Sequence, residues 1–230
     1  MLFSNSINTL PGDVFFNESQ INRVFSIKFL GLYIDEKLNW KQHTNHLCKL
    51  LSRNAGVIYK LKSIFPRSVL KMLYSTLFLP YLNYGVLALG KSIKMQTDKL
   101  LLVQKRVTRV ISDVDYLAHT NVLFYENKIL KMDDIYYLQL GSIMYDLNAK
   151  VLPQALASMF RKNNQVHSYP TRQALDYHLP LVRTKLRFNS LIYTGPQFWN
   201  SLESDITQAV SLFVFKRRLK LVLLNRYCVE

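Results

Sequence analysis

Two adjacent carboxylates in the string K-M-D-D, Asp133 and Asp134, are the residues whose types and spacing could most directly do chemistry. Such a pair holds Mg²⁺ when it lies on a tight hairpin between two strands, beside a third carboxylate. The apolar residues that follow Asp133 recur with a helical period, and neither Asp13 nor Asp35 lies in a suitable partner strand. We therefore predict Asp133 as the N-cap of a helix and Asp134 in its first turn, and no catalytic residue in this chain.

A second group, His43, His46 and Cys48, could suggest zinc. Spacings of three and five place these side chains on different sides of a helix, whereas a structural zinc site needs about four converging ligands. We predict no metal site, and His43 is interpreted as a helix-start residue that packs beside Trp40.

Charge is the strongest compositional signal, with 30 Lys and Arg against 15 Asp and Glu and a net charge of +15. No acid occurs from residue 37 to residue 97, a stretch with ten basic residues, or from Ile206 to Val229. Stretches of one sign favour a polyanionic partner, most often nucleic acid. An anionic membrane surface and an ordinary solvated helix face are the alternatives.

The chain shows no signal peptide and no apolar run long enough to span a bilayer. Its two cysteines lie far apart and form no disulfide framework, which favours a reducing compartment. We expect an intracellular protein, in the nucleus or the cytoplasm.

The secondary structure that would position these residues is predicted to change from β-rich to helical at about residue 36. Residues 1–36 are predicted to be β-rich, with strands at Met1–Ser4, Val14–Phe16, Ile21–Phe25 and Ile27–Ile34. From Asn39 the period becomes helical, and one face of the first helix carries Trp40, Leu47, Leu51 and Ile58. The opposite face carries Lys41, Lys49, Arg53 and Lys60.

Further helices are predicted from Pro66 to about Pro80, from Gln96 to Ile111, from Asp133 onward, and from Ser211 to Tyr227. In the Gln96–Ile111 helix, the basic residues Lys105, Arg106 and Arg109 flank the apolar side. The predicted fold is mainly α, with a small N-terminal β part.

An ordered series of motifs resembles reverse transcriptases of LINE-type (non-LTR) retrotransposons, particularly the jockey-like elements. It comprises K-F-L-G-L-Y-I-D-E-K-L-N-W at 28–40, Y-S-T-L-F-L-P-Y-L-N-Y-G at 74–85, L-L-L-V-Q-K-R-V-T-R at 100–109, and the pairs Thr171-Arg172, Trp199-Asn200 and Phe215-Lys216. The resemblance implies a palm remnant at 1–36, a helical thumb at 37–112 and a C-terminal helical region at 113–230. It also implies that Phe29, Leu30 and Gly31 form part of a primer grip, although plain core strand residues are the alternative for these three.

The parent family consists of RNA-directed DNA polymerases. Their catalytic carboxylates and Mg²⁺ belong to the palm, and the resemblance places that part of the palm upstream of residue 1. This chain alone is therefore expected to be inactive and to need no cofactor. Its expected partner is an RNA–DNA hybrid or duplex, held by backbone contacts from Lys41, Lys49, Arg53, Lys60, Lys105, Arg106 and Arg109. The alternative is a non-enzymatic helical module that binds nucleic acid or a protein through its basic face. The oligomeric state is left open.

Overall fold

Two short antiparallel hairpins open the part of the chain described by the computed structural model, which covers residues 14–22, 24–89, 94–167 and 172–228. Strand β1 (Val14–Phe16) pairs with β2 (Ser19–Ile21), and β3 (Ser26–Phe29) pairs with β4 (Leu32–Asp35). The predicted strand at residues 1–4 lies outside the described residues.

The prediction of one strand over 27–34 was wrong, because Leu30 and Gly31 reverse the chain. Their φ angles are +46° and +82°, and Phe29 pairs with Leu32 across them. Positive φ at both central residues is the signature of a type I′ hairpin turn. The strand predicted at 21–25 was also misplaced, since β2 begins at Ser19 and ends at Ile21.

The other regular elements of the described chain are helices, which confirms the mainly α fold with a small N-terminal β part. The helices are α1 (Lys41–Leu61), α2 (Arg67–Leu77), α3 (Leu79–Asn83), α4 (Val86–Leu89), α5 (Lys94–Ser112), α6 (Asn121–Asn127), α7 (Met132–Asn148), α8 (Gln154–Ala157), α9 (Asn163–Val166), α10 (Lys185–Phe188), α11 (Leu191–Asn200), α12 (Ser204–Thr207) and α13 (Leu212–Asn225), followed by a 3-10 turn at Arg226–Cys228.

Helices α1 and α5 lie side by side and run in the same direction. Near their starts the Lys99 ammonium donates to Asn45 Oδ1 at 3.4 Å, and near their ends Lys62 pairs with Asp113 at 3.1 Å. Leu51 and Ile58 are fully buried in the core on the inner side of α1, as their spacing predicted.

Helix α7 is the centre of the second half of the fold, with α11 and α13 packed on it. Gly141 in α7 faces Leu219 and Phe215 of α13 and Phe198 of α11. The buried side chains of this half and those of α1 to α5 belong to one continuous hydrophobic core. The division of the chain at residue 112 remains a prediction from the resemblance.

Candidate nucleic-acid interface

The start of α1 is fixed by the carboxylate of Asp35, the last residue of β4. Its Oδ1 accepts hydrogen bonds from the backbone N–H of Lys37 at 3.2 Å and of Asn39 at 3.0 Å, and its Oδ2 accepts from Trp40 at 2.8 Å. Trp40 is the N-cap residue, with φ +60°, and its side chain makes no capping hydrogen bond. Asp35 therefore fixes the segment that connects the hairpin to the helix, while Asn39 Oδ1 accepts the N–H of Lys41, the first helical residue, at 2.9 Å.

The four basic residues predicted on α1 share one surface of the helix. Leu47, Leu51 and Ile58 are buried on the inner side. The basic residues, all exposed, are Lys41, Lys49, Arg53 and Lys60, and we call this set the α1 basic surface. None of the four forms an ion pair with another described residue. Their charges are thus available to a partner from solution.

The three basic residues predicted on α5 lie in different surroundings. Arg106 is exposed and follows Lys99 by seven residues, which places it on the side of α5 that reaches α1. Lys105 is half-buried and points roughly 120° away from Lys99 around the helix. Arg106 therefore extends the α1 basic surface across α5, and Lys105 does not.

Arg109 is engaged within the protein. Its Nε donates to the carbonyl of Ala118 at 2.9 Å, and its guanidinium lies over the Tyr116 ring, 5.6 Å from the centroid. Arg109 thus holds the loop after α5, which reduces the donors it can offer to a ligand.

The residues of the expected primer grip form the tip of the β3–β4 hairpin. Phe29 is 58% exposed and Leu30 is 73% exposed, so they are not core strand residues. The Tyr84 hydroxyl donates to the Leu30 carbonyl. A Cβ on Gly31 would lie 3.5 Å from the Tyr84 ring. The contact with Tyr84 holds the tip against the segment between α3 and α4.

Gly85, next to Tyr84, allows this close approach. Its φ is +70°, and a Cβ there would lie 2.6 Å from Cδ2 of Leu32. Only glycine combines that backbone conformation with that space. The motifs at 28–40 and 74–85 are therefore in contact with each other, which their separation in sequence did not reveal.

His43 packs beside Trp40 as predicted, with ring centroids 6.4 Å apart. Its Nδ1 accepts the backbone N–H of Tyr33 at 3.5 Å. Burial, and then the neighbouring His46, lowers the pKa of the His43 imidazole below its ordinary value, while burial raises the pKa of the Cys48 thiol. No cluster of three or more potential metal-ligating side chains occurs within residues 14–22, 24–89, 94–167 and 172–228.

Asp133 and Asp134 lie in the first turn of α7, but Asp133 is not the N-cap as predicted. The helix begins two residues earlier than predicted, at Met132, and Lys131 is the N-cap. The Lys131 N–H donates to the Tyr227 hydroxyl at 3.0 Å, and that hydroxyl donates to the carboxylate of Asp134. Burial raises the pKa of both carboxyl groups, and the neighbouring Asp98 adds to the effect at Asp133. A tyrosine from the C-terminal turn thus completes this helix start.

None of the described helices combines the length and hydropathy needed to cross a bilayer. The described residues thus form a mainly helical, basic protein. The polar feature that its candidate site offers to a partner is a surface of exposed cations.

Comparison with known proteins identifies a relative. The chain is 26% identical over 160 residues to the RNA-directed DNA polymerase from mobile element jockey of Drosophila melanogaster. The match covers 67% of this chain and 17% of that protein. The chain is thus similar to part of a mobile-element RNA-directed DNA polymerase, in agreement with the resemblance of its motifs. No family model and no solved structure matched.

Proposed function

We propose that the helices of residues 37–112 act as a thumb that holds a template–primer duplex or RNA–DNA hybrid by its backbones, without reading bases. The observation that carries this proposal is the α1 basic surface, whose four cations are exposed and have no carboxylate partner among the described residues. Cations at regular helical spacing neutralise phosphates and position a duplex without specifying its sequence. Arg106 would add a contact from α5.

The hairpin tip supports the same proposal. Phe29 and Leu30 are exposed, and Tyr84 holds the turn against the helices that follow α1. An apolar tip in a fixed position could support a primer end by contact, which is the role the resemblance gives it. We also propose that this chain does not polymerise by itself, because its paired carboxylates Asp133 and Asp134 lie in the first turn of a helix and not on a hairpin between strands.

The test is a salt titration of hybrid binding with Lys49→Glu combined with Arg53→Glu. Each phosphate contact contributes about 0.9 to the slope of log affinity against log salt for B-form DNA, so losing two contacts should lower the slope by about 1.8. The control is Lys150→Glu with Arg183→Glu, which changes the net charge equally at exposed positions outside residues 37–112. Circular dichroism verifies that both double variants fold.

An unchanged slope in the α1 variant, or an equal loss in the control variant, would contradict the thumb proposal. Strong sequence preference among duplexes would also contradict it. Binding to anionic vesicles with no binding to hybrid would favour a membrane surface as the partner.

A further inference from the structure

A second basic site lies in a recess of about 270 Å³ on the C-terminal helix, away from α1. One wall is formed by Arg217, Lys220, Leu221 and Leu224 of α13. Their spacing of three, four and seven residues places them along one side of the helix. The facing wall is Lys128, the residue that ends α6.

The three cations of this recess have no carboxylate partner among the described residues. A fourth cation, Lys71 of α2, lies close enough to Lys128 to feel its charge. Burial first, and then neighbouring cations that include Lys128, lowers the pKa of Lys71 and of Lys220. Nearby Glu126 acts on the pKa of Lys71 in the opposite direction, but it pairs with Arg67 at 3.1 Å and with none of the three cations of the recess.

The chemistry of the lining defines the ligand. Lysine and arginine side chains are hydrogen-bond donors without acceptors, and the two leucines offer neither. A ligand that fits must therefore bring acceptors and negative charge. The lining contains no amide or carboxylate of the kind that reads adenine or cytosine edges, and its cations suit phosphate oxygens as well as the guanine edge. A concave site also suits a group that projects from a ridge, as phosphates do along a nucleic-acid backbone.

We propose that the recess between Lys128 and α13 binds a backbone phosphate of nucleic acid, as a second contact separate from the α1 basic surface. Gathering cations without carboxylates costs free energy through repulsion, and a bound phosphate relieves it. The choice of nucleic acid agrees with the net charge of +15 and with the relationship to an RNA-directed DNA polymerase.

The geometry of Lys128 allows a clean test. Lys128 has φ +55° at the end of a helix, a conformation that glycine adopts more readily than lysine. Lys128→Gly therefore removes the charge without strain on the fold. Lys150 is exposed, has φ +59° and lies two residues after the end of α7, next to the C-cap Ala149. Lys150→Gly is thus a matched control with the same substitution, the same loss of charge and the same backbone conformation.

The assay is a titration of a labelled RNA–DNA hybrid of about 20 base pairs against the full chain, at several salt concentrations. Loss of one phosphate contact should weaken binding by about eightfold near 0.1 M salt and lower the salt slope by about 0.9. We expect that change for Lys128→Gly and near wild-type binding for Lys150→Gly. Thermal melts of both variants show that they fold.

Equal effects of the two variants would mean that only net charge matters and would overturn the proposal. So would wild-type hybrid binding by Lys128→Gly. A loss of binding to anionic phospholipid vesicles without a loss for the hybrid would assign the recess to a lipid headgroup instead. An unchanged salt slope for Lys49→Glu with Arg53→Glu would contradict the thumb proposal. It would not bear on the proposal for this recess.

Discussion

Replacing a glycine by alanine should have opposite effects at two helical positions of this fold. Gly56 in α1 is exposed, and a Cβ there meets nothing within 4 Å. Gly141 in α7 is buried, and a Cβ there would lie 2.7 Å from Cδ2 of Leu219, 3.2 Å from Cζ of Phe215 and 3.3 Å from Cε1 of Phe198. The same substitution therefore tests how closely α11 and α13 pack on α7.

The magnitude follows from two opposing effects. Alanine is favoured over glycine inside a helix by about 1 kcal/mol, and this gain applies to both positions. At Gly141 the added methyl also overpacks the core, which costs about 1–3 kcal/mol. Gly56→Ala should thus raise the free energy of unfolding by about 1 kcal/mol. Gly141→Ala should be less stable than Gly56→Ala by about 1–3 kcal/mol.

Urea unfolding and thermal melts of the two variants give the measurement, since about 1 kcal/mol shifts Tm by ~2–4 °C in a chain of this size. A double-mutant cycle with Leu219→Ala adds a control, because removing the clashing side chain should make Gly141→Ala less harmful. If Gly141→Ala stabilised the protein as much as Gly56→Ala, α13 could not lie against α7 as described.

Three other outcomes follow from the site. Because burial lowers the pKa of His43, the folded state binds fewer protons than the unfolded state below about pH 6.5, and stability falls as the pH falls. Between pH 7.5 and 5.5, the Tm of His43→Phe should therefore fall less than the Tm of the wild type. An equal fall in Tm would contradict this account. Arg109→Ala should speed amide hydrogen exchange in residues 113–119, because it frees the Ala118 carbonyl; unchanged exchange would mean that Arg109 does not hold this loop. A primer-extension assay should show no template-dependent synthesis, and synthesis abolished by Asp133→Ala would prove the reading of this carboxylate pair wrong.

Helical periodicity predicted the part of the fold that carries the candidate site. Apolar residues such as Leu51 and Ile58 are buried and basic residues such as Lys49 and Arg53 are exposed, because burial of one stripe determines which way the opposite stripe faces. The nucleic-acid role of these cations remains a prediction.

What the sequence did not predict depends on contacts between distant residues or on weak turn signals. The Leu30-Gly31 turn lacks the Asn-Gly or Asp-Gly pair that usually marks a type I′ hairpin. The N-cap of α7 was misplaced by two residues because Tyr227, 96 residues from Lys131, accepts the Lys131 N–H. Arg109 donates to the backbone carbonyl of Ala118, and a backbone acceptor cannot be recognised from residue types in the sequence.

The contact between Tyr84 and Leu30 has a consequence for the order of folding. It joins residues 54 apart, and closing a loop of that length costs about 3.5 kcal/mol of chain entropy in addition to a constant. The tip recovers little of this cost, since Phe29 and Leu30 stay exposed. Packing of α1 with α2 shortens the effective loop, so docking of the hairpin tip should follow it. We therefore expect the tip to dock on Tyr84 after α1 and α2 have packed, and to undock before they separate.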